Sequence, residues 1–295
     1  MTTKPLVTIG VPVHNGANHL HKCLECLRTQ TFANIKVIIF ENHSTDDSLK
    51  ISQSFVDSDD RFNIRPSEAF LNAADNFRRA ILQCSGEGKY FLLRAHDDFT
   101  NPEYIQVLVD ALEHDDQKNL AVGHVYYVEN GAKRPARMNE WILAEGYYTS
   151  MWRFICSVTF PASWYYGLYR CQSSAADILL DSQDNFPSLW GFDRLAIMRF
   201  LTQDYVTFRP DAIFYAILGS ASGSTYAAKT AMEKIRHRIV YARMLYRCEY
   251  SRRPKSFLHN LNYSALCFRA ARRHTFYKTR DIVKELFIEI FSKPS

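Results

Sequence analysis

Strand and helix patterns alternate over the first 130 residues, and this alternation restricts the chain to few architectures. Apolar runs at 7–13 and 35–40 have the length and β-branched content of buried strands, and apolar residues at helical spacing follow the first of them. Further strands are predicted at 90–93 and 120–128. Such alternation is typical of an α/β fold, with a mainly parallel sheet and helices on both of its faces.

Two adjacent carboxylates, Asp97 and Asp98, follow the apolar run Tyr90–Leu93 in the segment GKYFLLRAHDDF. Ligands of open α/β sheets bind in the crevice outside the carboxyl ends of the strands. Because side chains alternate on an extended backbone, one aspartate can reach a divalent cation while the other reaches a hydroxyl of the same ligand. A solvated turn explains the pair equally well, since Asp is common where strands end. The preceding helix is predicted over 68–84, with Phe70 on its inner side.

The remainder of the chain divides into an irregular middle and a helical tail. Residues 130–190 are rich in aromatic side chains, and the weak linker GSASGST at 219–225 precedes the tail. We therefore expect an α/β domain over residues 1–220 and a basic helical extension over residues 221–295.

Charge is distributed unevenly between these parts. From Lys229 onward there are 16 Lys and Arg against 5 Asp and Glu, whereas the first 228 residues hold 20 against 26. Basic helices of this kind can lie on an anionic membrane surface or contact an acceptor, and they can equally pack an apolar stripe inward with their charges in solvent. No nucleic-acid-binding motif accompanies the basic residues, so a nucleic-acid partner is not expected.

The composition, 47% apolar and 23% charged, is that of an ordinary globular protein. No stretch approaches the length of a membrane span, and the beginning MTTKPLVTIG lacks a charged leader with an apolar core. We therefore expect a cytoplasmic location, with the basic tail as a candidate peripheral membrane contact. The seven cysteines include a CxxC, Cys23 and Cys26, but it lies inside a helical pattern, so neither a redox nor a zinc site is expected.

Five segments together resemble the family 2 glycosyltransferases of the GT-A fold, which is Rossmann-like. They are VTIGVPVHNGANHLHKCLECLRTQTFANIKVIIFENHSTDDSL, NFRRAI, GKYFLLRAHDDF, YYGLYR and GFDRLAIMRFLTQDYVTFRPDAIFYA. Their order and spacing match over roughly residues 5–218. The resemblance implies transfer of a sugar from a nucleotide-diphosphate donor, here expected to be a UDP-sugar, to an acceptor hydroxyl, with inversion and with Mn²⁺ or Mg²⁺. Expected partners are this donor and a glycan, lipid-linked or protein acceptor.

The resemblance implies a place for the nucleotide base at the ends of the first two strands. Pro12, His14 and Asn15 occupy the positions where the family packs the base, with His14 in place of the more usual tyrosine. Glu41 and Asn42 occupy positions where the family commonly has acidic residues that contact the base. An amide oxygen at position 42 can still accept a hydrogen bond from the N–H of uracil.

The resemblance also assigns the reacting groups. Asp97 is expected at the ribose or donor sugar and Asp98 at the metal, and Asp193 in GFDR matches the catalytic base. Hard oxygen ligands suit Mg²⁺ and Mn²⁺, and a dication neutralises the charge that develops on the departing diphosphate. A base takes the proton of the attacking hydroxyl, for a gain that is typically about 10²–10⁴-fold.

Two departures from the family pattern keep alternatives open. Ala95 stands where many members have a carboxylate, and YAIL at 215–218 lacks the charged or imidazole ligand that many members carry there. A catalytically inactive, nucleotide-binding member is therefore one alternative. A nucleotidyltransferase is another, although PVHNGANH lacks the glycine-rich basic loop of that class.

Overall fold

The computed structural model describes residues 6–139, 158–188, 191–218, 227–247, 257–275 and 277–291. Its strands are β1 (Val7–Val13), β2 (Ile35–Glu41), β3 (Phe62–Ile64), β4 (Tyr90–Leu93), β5 (Phe99–Thr100), β6 (Leu120–Glu129), β7 (Ala132–Pro135), β8 (Leu168–Arg170) and β9 (Val206–Ile217). Its α-helices are α1 (Ala17–Arg28), α2 (Ser48–Ser58), α3 (Ala73–Ser85), α4 (Tyr104–His114), α5 (Ala175–Asn185), α6 (Phe192–Thr202), α7 (Ala231–Arg247), α8 (Phe257–His274) and α9 (Thr279–Phe291).

The nine described strands form one mixed sheet in the order β3-β2-β1-β4-β8-β6-β9-β5, with β7 paired to β6. Strands β3, β2, β1 and β4 are parallel, as their βα connections predict. Strand β8 then runs antiparallel to both β4 and β6, whereas β6 and β9 are parallel. Every residue of β1 and β4 is buried, as expected for central strands of a covered sheet. The α/β class predicted from the sequence is confirmed.

The sequence pattern indicates two short extended pieces, Val206–Phe208 and Ala212–Tyr215, where the structure has the single strand β9. Its pairing with β6 shifts register after Gly123, from Gly123 opposite Arg209 to His124 opposite Ile213. A side chain at position 123 would place its Cβ only 2.0 Å from the carbonyl oxygen of Ala212. Only glycine permits this close approach, so Gly123 allows the irregular stretch to remain within one strand.

Helix α3 begins later than the sequence suggests. Asn72 is its N-cap, and Asn72 Oδ1 accepts a hydrogen bond from the Asp75 N–H at 2.9 Å. A helix is present over most of the expected range 68–84, but its expected start and the placement of Phe70 on its inner side are wrong, because Phe70 precedes the helix and is 62% exposed. An Asn cap satisfies one of the free N–H groups of the first turn and fixes the start of the helix there.

The contacts divide the chain into two compact units. The first comprises the described residues of 1–137, 161–180 and 204–220, and it contains the sheet. The second comprises the described residues of 138–160, 181–203 and 221–295, with helices α6 to α9. The boundary expected after residue 220 lies outside the described residues and stays a prediction, and the described residues of 138–160 and 181–203 group with the tail. No helix among the described residues is long and apolar enough to cross a membrane.

Aromatic stacking around His274 organises the interior of the second unit. The imidazole of His274 is stacked on Tyr241, with 6.0 Å between ring centroids, and on Phe160, with 5.3 Å. Burial, together with the charges of Arg194 and Arg273, lowers the pKa of His274 to about 3. The ring is therefore neutral in the folded protein at neutral pH.

We expect the second unit to lose stability in mild acid because unfolding exposes His274 to protonation. Its pKa in the folded chain lies below the ordinary value of 6.5. Between about pH 6.5 and pH 3 the unfolded state therefore binds more protons than the folded state. As the pH decreases through this range, the free energy of unfolding decreases by at most about 1.4 kcal/mol per pH unit. Urea unfolding of the full chain at a series of pH values should show a shallower dependence for His274→Gln than for the wild type. His114→Gln, at an exposed position, serves as the control, and equal slopes for wild type and His274→Gln would contradict the expectation.

Candidate functional site

The turn after β1 is fastened to the turn after β2 through the backbone. The N–H groups of residues 15, 16 and 17, which precede and open helix α1, all donate to side chains of the second turn. The acceptors are Ser44 Oγ at 3.1 Å, Ser48 Oγ at 2.8 Å and Asp46 Oδ2 at 2.9 Å. These N–H groups would otherwise form an anion site at the N-terminus of α1. Side-chain oxygens already occupy them, so a phosphate group gains little there.

Glu41 and Asn42 end β2 as buried side chains, 6% and 2% exposed. The carboxylate of Glu41 accepts from the N–H groups of His43, at 3.1 Å, and Ser44, at 2.7 Å. Asn42 Oδ1 accepts from the Leu71 N–H at 2.9 Å, and Asn42 Nδ2 donates to the Leu71 carbonyl at 2.8 Å. Both side chains thus shape the surrounding turns, and their predicted contact with a base remains a prediction.

The two hydrogen bonds between Asn42 and Leu71 hold a segment that exposes the side chain of Phe70, which the sequence suggests to be buried. Phe70 lies directly before Leu71, and its ring stands edge-on to that of His14, with 5.0 Å between centroids. His14 Nδ1 lies 2.8 Å from the Asn42 carbonyl oxygen, which orients the imidazole. His14 and Asn15 are exposed, whereas Pro12 is buried in β1. Two rings therefore stand at the edge of the sheet where the sequence predicts the nucleotide base.

The turn after β4 separates the two adjacent carboxylates. Asp98 is 6% exposed, and its Oδ1 accepts from the N–H of Ile217 at 2.9 Å. Burial and, to a smaller extent, the charge of Asp97 raise the pKa of Asp98 to about 8, against the opposing effects of the Ile217 N–H and Arg94. Asp97 is partly exposed, and the described residues donate no hydrogen bond to it. Asp97 is thus the carboxylate that a ligand can reach more readily.

Arg94, which sequence reasoning overlooked, lies fully buried beside this turn. Its guanidinium packs against the rings of Tyr104 and Phe214, 5.4 and 4.9 Å from their centroids. None of the three guanidinium nitrogen atoms has a hydrogen-bond partner among the described residues. Cation–π contacts with these two rings stabilise the positive charge. The charge favours the ionised form of Asp98 and so opposes the rise of its pKa. Its only signal in the sequence is a cation that directly follows an apolar strand.

His96 connects the acidic turn with the turn after β1 and was also overlooked. A hydrogen bond with the backbone of Pro12 orients its ring. Burial lowers the pKa of His96, so the ring is neutral at neutral pH, although Asp97 opposes this shift. The ring lies so close to Gly16 that a Cβ there would be 2.5 Å from His96 Cδ2. Glycine at position 16 is therefore required by packing.

Asp193 belongs to the second unit, whereas the other predicted site residues belong to the first. It lies in the first turn of α6, directly after Gly191 and Phe192, and Gly191 has a φ of 102° that favours glycine. Asp193 Oδ1 accepts from the Arg194 N–H at 2.7 Å. Burial raises the pKa of Asp193, while the charge of Arg194 lowers it. A raised pKa makes this carboxylate a better proton acceptor than an exposed aspartate.

The described residues hold no group of three or more His, Cys, Asp and Glu side chains that could bind a metal ion by themselves. The pair Asp97 and Asp98 supplies hard oxygen atoms, the ligand type that Mg²⁺ and Mn²⁺ prefer. A cation at this pair would also offset the unfavourable burial of the Asp98 charge. The donor set therefore fits a divalent cation that takes its other ligands from water and from the phosphates of a substrate.

Comparison with known proteins identifies the family. A family model described as Glycosyl transferase family 2 matches residues 8–176, more than half of the chain, from the second residue of β1 through β2 and β4 with the turns that follow these strands. The chain belongs to glycosyl transferase family 2. The family resemblance inferred from the sequence is thereby confirmed.

Curated relatives of this family 2 chain match about two fifths to half of its length. The glycosyltransferase GlyA of Streptococcus pneumoniae is 31% identical over 147 residues, which are 50% of this chain and 20% of the relative. The glycosyltransferase GlyG of the same organism is 28% identical over 121 residues, 41% of this chain and 39% of the relative. Chondroitin synthase of Escherichia coli is 27% identical over 135 residues, 45% of this chain and 18% of the relative. The matched part of the chain thus spans about a fifth to two fifths of these relatives.

Solved structures resemble the chain over a greater length. TarS 1-349 of S. aureus in complex with UDP-GlcNAc has a TM-score of 0.67 at 18% identity, covering 96% of this chain and 76% of TarS 1-349. The mannosyltransferase PcManGT of Pyrobaculum calidifontis, in complex with GDP-Man and Mn²⁺, has a TM-score of 0.54 at 12% identity. The match covers 100% of this chain and 77% of PcManGT. These likenesses concern the fold, and they confirm the GT-A architecture expected from the sequence.

We expect Gly16→Ala to destabilise the protein because the new methyl group would overlap the ring of His96. Overpacking of this kind typically costs about 1–3 kcal/mol. Urea unfolding should show this loss, and the double variant Gly16→Ala/His96→Ala should recover part of it. Gly86→Ala is the matched control, since a Cβ there meets nothing closer than 3.6 Å. A Gly16→Ala variant as stable as Gly86→Ala would show that the ring moves without cost.

Proposed function

We propose that this family 2 chain is a metal-dependent, inverting glycosyltransferase that uses a UDP-sugar and an acceptor hydroxyl. The observation that carries the proposal is the pair Asp97 and Asp98 at the carboxyl ends of the sheet, in a chain of this family. Neighbours of the same fold are described with UDP-GlcNAc and with GDP-Man and Mn²⁺, which supports a nucleotide-sugar donor. The part of the curated relatives that the chain covers is too short to carry their substrates over.

The closed N-terminus of α1 supports a role for a cation. In many phosphate sites, free N–H groups at a helix N-terminus bind the anion. Here the side chains of Ser44, Asp46 and Ser48 already accept hydrogen bonds from the N–H groups of residues 15, 16 and 17. A divalent cation at the acidic pair would supply the charge neutralisation that a departing diphosphate needs. The sequence assigns this cation to Asp98, while the exposure of the two side chains favours Asp97 as the carboxylate it meets first.

The nucleotide base is proposed to lie beside His14 and Phe70. A base has two apolar faces and a polar edge, and aromatic side chains bind such rings by stacking or edge-to-face contact. Asn42 holds the Phe70 segment in place through Leu71. Asn15 and Glu41 stabilise the two turns that frame this position. In this view Asn42 and Glu41 support the base site, and the exposed rings contact the ligand.

Asp193 is proposed as the general base. As the bond between the anomeric carbon and the diphosphate oxygen breaks, the acceptor oxygen attacks the opposite face of the sugar and its proton passes to the carboxylate. Burial of Asp193 raises its pKa and so increases its basicity. The assignment rests on the match of GFDR to the family pattern.

A catalytically inactive, nucleotide-binding member is the alternative with a structural observation in its favour. Ile217, in the segment YAIL, donates its N–H to Asp98 where many members carry a charged or imidazole ligand. An inactive member would bind UDP and release none from a UDP-sugar. A nucleotidyltransferase is disfavoured because the N–H groups after β1 already donate to side-chain oxygens and are not free for a triphosphate. An enzyme of that class would release pyrophosphate from a nucleoside triphosphate.

We expect UDP and Mn²⁺ together to raise the melting temperature more than either alone, because ligands that bind only the folded state stabilise it. Asp97→Asn and Asp98→Asn should each reduce the part that depends on Mn²⁺, and the larger loss identifies the main metal ligand. Asp177→Asn makes the same chemical change at an exposed position of α5 and should leave the shift intact. Retention of the full Mn²⁺-dependent shift by both site variants would rule out a cation at this pair.

We expect Asp193→Asn to lower the release of UDP from a UDP-sugar, with water as the acceptor, by about a hundredfold or more, because the attacking oxygen loses its base. The Kd for UDP should change little, since the base does not hold the nucleotide. EDTA should abolish turnover in the wild type. Turnover by Asp193→Asn at the rate of Asp177→Asn would remove Asp193 from the catalytic role.

A further inference from the structure

A cavity of about 520 Å³ lies in the second unit, where helix α8 ends and helix α9 begins. Its volume is within the range of small-molecule sites, roughly 300–1,000 Å³. Four of its six lining residues are cationic and none is acidic. The lining residues are Arg272, Arg273, Tyr277, Lys278, Thr279 and Arg280.

The positions of these cations relative to the helices are informative. Arg272 and Arg273 lie in the last turn of α8, where the partial negative charge of the helix end favours them. Lys278 and Arg280 lie at the start of α9, where the partial positive charge of the free N–H groups disfavours cations. An anion bound at the start of α9 would be attracted both by these cations and by the free N–H groups of the helix. It would therefore offset the repulsion between them. The acidic residue of the first turn of α9 is Asp281, whose Oδ1 lies 3.5 Å from Arg280 Nε and so offsets part of the charge of that one cation.

A buried guanidinium adds to the positive potential behind the cavity. Arg238 is 7% exposed, and it donates to the Tyr277 carbonyl and, at 3.2 Å, to Thr279 Oγ1. Its Nε has no hydrogen-bond partner among the described residues. Burial lowers the pKa of Arg238, and the nearby charge of Arg272 lowers it further. Like charges are thus crowded around Tyr277 and Thr279.

We propose that this cavity binds the phosphate groups of an anionic ligand. Guanidinium groups match phosphate oxygens with paired, charge-assisted hydrogen bonds. Arg273 is already held in position by its bond to Thr159 Oγ1 at 2.8 Å. The hydroxyl of Thr279 accepts from Arg238 and can still donate its own hydrogen. A single carboxylate would leave most of the positive charge uncompensated, whereas two or more phosphate charges would balance it.

The phosphate can belong to a soluble phosphate ester or to a lipid headgroup, and two probes distinguish these sources. Calorimetry with tripolyphosphate tests the soluble source on the full chain. Co-sedimentation with vesicles of phosphatidylglycerol in phosphatidylcholine tests the lipid source. The variant Arg272→Ser/Lys278→Ser removes two exposed lining cations, and Arg280→Ser is an independent second variant. The matched control is Arg243→Ser/Lys284→Ser, which removes the same charge from exposed positions outside the cavity.

The wild type should bind at least one probe, and the Arg272→Ser/Lys278→Ser variant should bind it at least about tenfold more weakly than the control variant, a difference of about 1.4 kcal/mol. A loss confined to tripolyphosphate assigns the site to a soluble phosphate ester, and one confined to vesicles assigns it to a lipid headgroup. Failure of the wild type to bind either probe would overturn the proposal. So would equal losses in the lining and control variants, because net charge alone would then explain binding.

Discussion

The acidic edge of the sheet depends on how the burial of Asp98 is partly compensated, since its pKa of about 8 means that burial outweighs the groups that favour its ionised form. A carboxylate removed from water is strongly unfavourable unless donors and opposite charge surround it. Here one donor is the Ile217 N–H, and the nearby cation is Arg94. Ile217 lies at the end of β9, while Asp98 follows β4, and two strands separate β4 from β9 in the sheet. The same hydrogen bond therefore fixes the acidic turn and ties the parallel part of the sheet to its mixed part.

This compensation also explains which part of the site the sequence could predict. Hydrophobic runs located β1, β2 and β4, and the residues after them were correctly placed at one edge of the sheet. The sequence could not show that Asp98 turns inward and Asp97 outward. That choice depends on a partner 119 positions away and on Arg94, whose neighbours Tyr104 and Phe214 come from separate elements. Local spacing contains no information about such contacts.

The segment before α3 shows how tertiary contacts override a local pattern. Helical spacing of apolar residues suggested that the helix starts at residue 68 and buries Phe70. Two asparagines decide otherwise, since Asn72 caps the helix and Asn42 bonds both the N–H and the carbonyl of Leu71. An asparagine side chain can replace a backbone partner in this way, and it thereby stabilises an extended segment. Phe70 is exposed as a direct consequence, at the edge where His14 stands.

Two helix N-termini in this chain have opposite electrostatic surroundings, and the contrast has a chemical consequence. At α1 the N–H groups are satisfied by hydroxyl and carboxylate oxygens, including those of Asp46, so their positive partial charge is already neutralised. At α9 the residues around the first turn are mainly cationic, with Asp281 as the acidic exception. A phosphate group gains little electrostatic energy at the first and considerably more at the second. In the proposed function a divalent cation would neutralise a diphosphate at the acidic edge, whereas the end of α9 is proposed to bind phosphate with the protein's own charges.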